Sequence, residues 1–363
     1  MALMQLRQPG QSLRRLGGQL FRHAFQRLDG ALVRQGQPFA EPELIRPNTE
    51  ARLFNVSHYG VMIPNLPEPY KYFSLMAILG TAGNRFIDTD HMLVDAPGRN
   101  ATQVSGTAVA GSSRFASYSL DRDCVIEPDG SLIRLGNDVE LSGSYPDIRL
   151  RVRNGDFELD ITLALSDNVT WFADTPVYKH LGLLAEYRGH IGMGSQRMTI
   201  AGHCTYEYFT MAGPYGLLRQ PLPAALRMPT DFFSYQIVDL GDDTQLMLAK
   251  VCAFGVTSLE SAWLRSKNRY SRTYARGVHF EVTRYEEQPR TAPDGRAMRL
   301  PVSFTWTIQE GAEIVAEIHG TVDTPLTYGL CSGYVGGYCY EGQFQGRPVS
   351  GRAYIEYVDQ RSA

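Results

Sequence analysis

The sequence predicts an all-β protein, in which two successive antiparallel β-modules follow one N-terminal amphipathic helix. Beyond residue 52, apolar and polar residues alternate over several stretches, which is typical of half-buried strands. The 35 glycines and 20 tyrosines suit strands joined by many turns. A short strand motif also occurs twice, late in each half of the body. We therefore divide the 363 residues into a helical arm (1–40), a first β-module (41–220) and a second β-module (221–363).

The arm is basic, whereas the rest of the chain is acidic. Residues 1–40 contain six arginines and one acid, Asp29, which gives +5 and leaves −8 for the remainder. Apolar residues recur in the arm at helical spacing: Leu13, Leu16, Leu20, Phe21, Ala24, Phe25 and Leu28. Such a helix either lies on an anionic membrane surface or docks on the protein body or a second subunit. We favour docking, because an amphipathic helix usually packs on a core.

Turn signals and strand patterns alternate along the body. Residues 157–165 and 302–308 each alternate apolar side chains with mostly polar ones, as a strand does. Asp-Gly or Asn-Gly pairs at 129–130, 154–155 and 294–295 predict hairpin turns. Residues 214–223 are rich in proline and glycine, and they are the best candidate for the linker between the modules.

The repeated motif supports a duplication. Residues 202–209 are Gly-His-Cys-Thr-Tyr-Glu-Tyr-Phe, and residues 351–358 are Gly-Arg-Ala-Tyr-Ile-Glu-Tyr-Val. A Tyr-x-Gly element precedes each of them, at residues 187–189 and 340–342. Two β-modules that end in the same strand would produce this pattern.

Several classes of function are disfavoured. A net charge of −3 argues against a nucleic-acid-binding protein. Five cysteines without framework spacing indicate reduced thiols and a cytoplasmic location, and no apolar stretch reaches the ~18 residues of a spanning helix. The sequence lacks metal-ligand spacings, phosphate-binding and dinucleotide-binding loops, and the nucleophile elbow of serine hydrolases. We therefore expect no metal and no cofactor.

Several motifs resemble those of the hydroxyneurosporene synthase (carotenoid hydratase) family. Residues 231–247 begin Asp-Phe-Phe-Ser-Tyr-Gln and end Asp-Asp-Thr-Gln-Leu-Met, similar to the family's Trp-x-Trp/Phe…Asp-Gly-x-x-Leu-Met segment. Tyr-Cys-Tyr-Glu-Gly at 338–342 resembles its Tyr-Trp-Glu-Gly element, and residues 351–357 resemble its closing Gly-Arg-Gly-Tyr-x-Glu strand. Asp-His-Met-Leu-Val-Asp at 90–95 is similar to its Ala-His-Phe-Ala-Leu-x-Asp. The resemblance covers roughly residues 55–359, and Glu207-Tyr208 replaces the family's Asp-His pair.

The resemblance implies two lipocalin-like β-barrels in tandem, a buried apolar ligand, acid-assisted hydration or cyclisation, and no metal. A small antiparallel barrel has an interior that holds one such ligand. We expect a hydrophobic, isoprenoid- or lipid-like small molecule as the partner. The protein is then either a hydratase, isomerase or cyclase of that molecule, or a carrier that only binds it. A homodimer and peripheral membrane contact through residues 1–40 are both left open.

Glu207 is the first catalytic candidate. A carboxylic acid buried in an apolar pocket has a raised pKa and stays protonated, so it can give its proton to an alkene. Alternation places Glu207 on one strand face with His203, and Tyr206 with Tyr208 on the other. His91, on a predicted strand, could relay a proton, and Tyr208 is the third candidate. A solvent-facing glutamate and a structural histidine are the alternatives.

The candidate binding residues belong to the same motifs or are tryptophans: Tyr206, His203, Trp171, Trp263, Tyr340, Glu341, Tyr354 and Glu356. Core packing is the alternative for the tryptophans, and a sealed structural barrel for the closing strand. Basic residues between Arg265 and Arg276 surround Trp263. They could bind an acidic head group, but a solvated loop is the simpler interpretation.

Overall fold

The computed structural model describes the backbone of residues 9–361 and the side chains of residues 16–20 and 22–361. Two residues of the predicted apolar stripe, Leu13 and Phe21, have side chains outside this description. The helices of the described chain are α1 (Pro9–Leu28) and short 3-10 helices at Ala31–Arg34, Pro42–Ile45, Asp90–Met92, Pro97–Arg99, Pro214–Gly216 and Ala224–Leu226. Within residues 9–361, no helix has the length and apolar character needed to cross a bilayer.

The first module is one sheet of 11 antiparallel strands that forms a nearly closed barrel. Its strands are β1 (Val56–Ile63), β2 (Phe73–Leu79), β3 (Asn100–Gly106), β4 (Arg114–Ser119), β5 (Cys124–Ile126), β6 (Leu132–Leu135), β7 (Val139–Ser144), β8 (Asp147–Asn154), β9 (Phe157–Asp174), β10 (Tyr178–Met193) and β11 (Gln196–Met211). Neighbouring strands follow the chain order, except that β1 pairs with β11. This pairing brings the first and last strands of the module side by side.

The second module is a half-barrel sheet built on the same plan. Its segment of the chain contains β12 (Thr230–Asp239), β13 (Thr244–Ala253), β14 (Val256–Ser266), β15 (Arg269–Tyr274), β16 (Val278–Tyr285), β17 (Arg290–Thr291), β18 (Ala297–Met298), β19 (Pro301–Glu310), β20 (Glu313–Val322), β21 (Thr327–Leu330), β22 (Gly333–Phe344) and β23 (Arg347–Asp359). Here β12 pairs with β23, as β1 pairs with β11. The strands β17 and β18 form a separate two-stranded ribbon. The predicted all-β class, with two tandem antiparallel barrels and an N-terminal helix, is confirmed.

The repeated motif occupies equivalent places in the two sheets. Tyr187 pairs with Gly202 across β10 and β11, and Tyr340 pairs with Gly351 across β22 and β23. In both places the tyrosine ring lies against the glycine, because a Cβ added to either glycine would come within 3.2 Å of the ring or its hydroxyl. The two modules therefore use the same local packing next to their last strand.

The described residues form two hydrophobic clusters, and the two modules share one of them. One apolar cluster fills the interior of the first barrel. A second cluster joins the outer face of β1, β2, β9 and β11 to the second module, and it includes Met62, Met76, Phe172 and Phe209 beside Trp263. Several first-module strands are thus buried on both faces, as the fully buried β1 and β2 show.

The helix α1 contacts the body through a glycine rather than through its leucines. Gly18 is buried against the turn between β13 and β14, whereas Leu16, Leu20 and Leu28 are exposed. The favoured prediction is that this helix docks on the protein body or on a second subunit; α1 does contact the body, but these three leucines do not cover it, and docking on a second subunit stays a prediction. Close approach of the helix backbone at Gly18 explains the contact, since a side chain there would collide with Val256.

Candidate active site between the two modules

Glu207 lies on β11 and points away from the interior of the first barrel. Its neighbours Tyr206 and Tyr208 fill that interior, so alternation turns Glu207 outward, towards the second module. Thr205, on the same face, is 3.3 Å from Gln245 of β13. The Glu207 carboxyl therefore lies between the two modules and not inside the first barrel.

One histidine hydrogen-bonds the Glu207 carboxylate, and a second lies just beyond hydrogen-bond distance. Nε2 of His180 is 2.8 Å from Oε1 of Glu207, and Nε2 of His58 is 3.6 Å from the same oxygen. Nδ1 of His180 is 2.7 Å from the Tyr178 hydroxyl, and Nδ1 of His58 donates to the carbonyl of Ala77 at 3.2 Å. The second nitrogen of each ring is thus oriented, which directs both Nε2 atoms at one carboxylate.

Glycines and aromatic rings make room for the imidazoles. The residues opposite Glu207 on both neighbouring strands are glycines, Gly60 and Gly182. A Cβ at Gly60 would lie 2.9 Å from Nε2 of His58, so any larger residue would displace that ring. Phe209 stacks on His58 at 4.7 Å, and Phe172 lies 4.6 Å from His180. The carboxylate is therefore enclosed by imidazole and apolar surfaces.

The second module supplies another buried carboxyl. Glu356 on β23 is 1 % exposed and accepts a hydrogen bond of 2.9 Å from the Tyr354 hydroxyl. Tyr235 on β12 lies directly opposite Glu356 in the sheet register. Burial, followed by the charge of Glu207, raises the pKa of Tyr235, which places this tyrosine beside both glutamates. Trp263 of β14 packs edge-on against Phe172 at 4.9 Å and completes the junction.

The surroundings of the two glutamates shift their pKa values in opposite directions. Burial alone would raise the pKa of Glu207, but His180 and His58 outweigh it and hold that pKa well below its ordinary range. Burial raises the pKa of Glu356 well above its ordinary value, and the nearby charge of Glu207 raises it further. These surroundings favour the ionised form of Glu207 and the protonated form of Glu356. The raised pKa that the sequence analysis expected for Glu207 occurs instead at Glu356, because His180 and His58 favour the Glu207 carboxylate.

Arg265 links the two modules by hydrogen bonds next to this site. It is fully buried and donates to the carbonyl of Gly182, to Thr205 and to Gln245, at 2.8, 2.8 and 3.1 Å. Burial lowers the pKa of Arg265 to about 10, which leaves it charged at neutral pH. The solvated loop expected for this basic segment is therefore wrong for Arg265, which lies on β14 with its side chain in the shared core.

Some polar atoms of the junction have no partner. Among the described residues, Oε2 of Glu207, the Tyr235 hydroxyl, Nε1 of Trp263 and Nε of Arg265 are buried without a hydrogen bond. Buried polar groups without partners are uncommon and costly, and they cluster where a ligand or solvent completes them. Donors and one acceptor therefore face the same junction. The described residues include no group of three or more His, Cys, Asp or Glu side chains that could hold a metal ion.

Four of the predicted site residues meet at this junction: Glu207, Glu356, Tyr354 and Trp263. Three others lie inside the first barrel instead. Tyr206 and Tyr208 face its core, where the Tyr208 hydroxyl donates to the carbonyl of Arg46 at 2.8 Å. Trp171 lies in the same core beneath the guanidinium of Arg34, at 4.2 Å. Their side chains leave β9 and β11 on the face opposite to Glu207.

The remaining predicted residues lie away from the two glutamates. His91 is on the 3-10 helix Asp90–Met92, not on the predicted strand; it is exposed, and its ring is 6.1 Å from that of Tyr328. His203 pairs with Asp243 at 3.0 Å near the surface. Tyr340 packs on Gly351, and Glu341 is exposed on β22. The prediction of a strand around His91 is wrong, because residues 80–99 form the connection between β2 and β3.

Sequence reasoning missed His58, His180, Tyr235 and Arg265. The histidines lie on β1 and β10, far from Glu207 in sequence, and only the strand register brings them together. Tyr235 stands within a segment that carries the family resemblance, but no pattern distinguished it from a core tyrosine. The glycines opposite Glu207 are a usable signal once the register is known, because they leave space above a buried carboxylate.

The fold and the junction define a class of protein with two lipocalin-like β-modules and a charged site between them. The sequence profile of DUF6670, a family of unknown function, matches residues 76–363, and the chain belongs to this family. No curated protein matches the sequence at a significant level.

Two solved structures share the fold over most of the chain. One is an AttH-type protein from Nitrosomonas europaea, with 14% identity, 90% of this chain and 98% of that chain covered, and a TM-score of 0.61. The other is kievitone hydratase from Nectria haematococca, with 12% identity, 90% and 94% covered, and a TM-score of 0.57. At these identities the similarity extends to the fold, which agrees with the carotenoid-hydratase-like resemblance at that level.

Proposed function

We propose that the protein is a metal-independent hydratase, isomerase or cyclase that acts on an isoprenoid- or lipid-like small molecule between its two modules. The observation that carries this proposal is the pair of buried glutamates at the junction, one beside two imidazoles and the other beside a tyrosine hydroxyl, whose surroundings shift their pKa values in opposite directions. Two carboxyl groups whose surroundings push their pKa values apart are a common basis for acid and base roles in one site. The hydratase named among the structures of the same fold supports the same class of reaction.

Glu356 would act as the acid. Its O–H bond breaks and a C–H bond forms at one carbon of a substrate double bond, which leaves positive charge on the neighbouring carbon. The Glu207 carboxylate and the faces of Phe172 and Trp263 would stabilise that charge. Glu356 is left as a carboxylate, and Tyr354 can donate a hydrogen bond to it.

Glu207 and His180 would complete the reaction as the base. A water molecule that adds to the cation loses one proton to this pair, which gives an alcohol. Loss of a proton from an adjacent carbon gives an isomer, and attack by a second double bond before that loss gives a ring. His180 lies between Glu207 and the Tyr178 hydroxyl, so it can carry a proton away from the carboxylate.

The unpartnered donors favour a substrate that carries oxygen. The Tyr235 hydroxyl and Nε1 of Trp263 are buried and without hydrogen bonds among the described residues. A carbonyl or hydroxyl oxygen placed between them would satisfy both donors and draw electrons from a neighbouring double bond. We therefore expect an oxygenated rather than a purely hydrocarbon molecule.

Proton transfer in heavy water tests the proposal. Lipids that co-purify with the protein, and a panel of oxygenated terpenoids, are incubated with wild-type protein in D2O and analysed by mass spectrometry. We expect deuterium in the product, and a loss of about 100-fold or more for Glu356→Gln and for Glu207→Gln.

Glu341→Gln is the matched control, since Glu341 is exposed on β22. It should keep the wild-type rate. Recovery of a bound ligand from the wild type with neither deuterium nor altered mass would contradict an enzyme and favour the non-catalytic carrier. Full activity in Glu356→Gln would remove that residue as the acid.

A further inference from the structure

The outer face of α1 carries exposed leucines. Leu16 and Leu20 are 53% and 64% exposed, and they are neighbours on one helix face because four residues separate them. Gly18 and Phe25, seven residues apart, lie on the opposite face, where Gly18 is buried and Phe25 half-buried. The helix therefore rests on the body by one face and presents leucines on the other.

Further exposed apolar residues follow the helix. Leu32 and Val33 are exposed on the 3-10 helix Ala31–Arg34, and Val177 is exposed in the turn between β9 and β10. The amide of Gly30 donates to the carbonyl of Asp174 at 2.8 Å, which fixes this segment beside that turn. The exposed residues that follow α1 are thus held beside the first module.

The charge of the region is positive, in contrast to the rest of the body. The sequence of α1 contains four arginines and no acid; Arg27 is exposed on the face of the leucines, and Arg22 is exposed on the flank towards Gly18. The residues after position 40 carry a net −8. Basic side chains next to exposed leucines on one helix are the pattern of a helix that lies in the plane of a membrane.

We propose that α1 and the 3-10 helix Ala31–Arg34 form a docking surface for an anionic lipid bilayer. Leu16, Leu20 and Leu32 enter the boundary between head groups and acyl chains, and Arg22 and Arg27 pair with lipid phosphates. A second copy of this chain fits the surface less well, because a symmetric contact between the two helices would bring their arginines together.

Vesicle sedimentation with the full-length protein tests this surface. We expect binding to vesicles of phosphatidylcholine mixed with phosphatidylglycerol, little binding to phosphatidylcholine alone, and weaker binding as salt is raised. The double variant Leu16→Gln/Leu20→Gln should bind the mixed vesicles about tenfold or more weakly, since two apolar side chains no longer enter the bilayer. Arg22→Gln/Arg27→Gln should lose a similar factor together with most of the salt dependence.

A control variant and a melting curve make the outcome decisive. Val125→Gln/Ile314→Gln changes two exposed apolar residues on β5 and β20 and should bind like the wild type. All variants should melt as the wild type does, because the altered side chains are exposed. The proposal is overturned if wild-type protein stays in the supernatant with the mixed vesicles, or if the leucine variant sediments as fully as the wild type. One further outcome also overturns the proposal: the wild-type protein is a dimer that binds no vesicles, and the leucine variant is a monomer.

Discussion

Glu207 and Glu356 are the same residue type in the same junction, and their neighbours alone set their protonation. Glu207 faces two imidazoles, and Glu356 accepts one hydrogen bond from a tyrosine. The sequence motif predicted that both glutamates occupy equivalent strand positions. It could not predict the difference between them, because His58 and His180 come from other strands.

The raised pKa of Glu356 predicts how stability depends on pH. Above the ordinary value near 4.5, the unfolded chain loses this proton while the folded protein keeps it, so unfolding releases a proton. The contribution of Glu356 to the free energy of unfolding is therefore at its maximum below pH 4.5. It declines as the pH rises towards the pKa of Glu356 in the folded protein. Relative to the wild type, Glu356→Gln should gain up to about 1.4 kcal/mol in the free energy of unfolding per pH unit.

Urea unfolding at several pH values between 5 and 8 measures this difference. Comparison with the wild type at each pH cancels the other titrating groups, among them His58. Glu341→Gln should run parallel to the wild type. A constant offset between Glu356→Gln and the wild type across this range would show that Glu356 is ionised in the folded protein.

At the scale of the elements, the repeat explains why only one glutamate meets histidines. His58 of β1 lies opposite Phe209, and the equivalent residue of β12, opposite Val358, is Phe233. His180 of β10 also lies opposite Phe209, whereas Gly333 lies against Val358 in the second module. The strand frame is the same in both modules, and the first has imidazoles where the second has a phenyl ring and a glycine.

The packing of Tyr340 on Gly351 should stabilise the strand arrangement of the second module. A Cβ at Gly351 would lie 3.2 Å from the Tyr340 ring, whose hydroxyl donates to the carbonyl of Asp239. Gly351→Val should therefore displace the ring and lower the free energy of unfolding by about 1–3 kcal/mol, as overpacking does. Urea unfolding measures the change, and Ser350→Val, at an exposed neighbour on β23, should cost much less. Equal losses for the two variants would refute a specific role for the glycine.

The alternation of apolar and polar residues predicted where the strands lie. It did not predict what packs against each face of a strand. Residues 157–165 and 302–308 lie in β9 and β19, and the Asn-Gly pair at 154–155 joins β8 to β9. A period of two separates the faces of a strand but does not say what covers each one. Both faces of β11 are buried around Glu207, one inside the barrel and one against the second module. The sequence therefore could not show which face of that strand borders the second module.

The whole molecule should unfold as one unit, because a single core joins the two modules. Arg265 donates across the junction to Gly182 and Thr205, and Trp263 packs on Phe172. We expect one calorimetric transition. Arg265→Ala leaves several buried acceptors without donors and should lower the free energy of unfolding by about 3–5 kcal/mol while keeping one transition.

Calorimetry of the wild type and of this variant distinguishes the alternatives. Arg352→Ala is a useful comparison, because Arg352 pairs with Asp323 at the surface of the second module, and it should cost far less. Two separate transitions in the wild type would mean that the modules unfold independently and that the junction contributes little to stability.

The duplicated frame also bears on how an acid and a base came to face each other. Two identical modules in a symmetric dimer would present identical carboxyls, and neither could hold the proton permanently. Joined in one chain, each copy of the strand is free to change its own neighbours without altering the other. The imidazoles around Glu207 make the two carboxyl groups inequivalent. The proton is therefore held preferentially by Glu356.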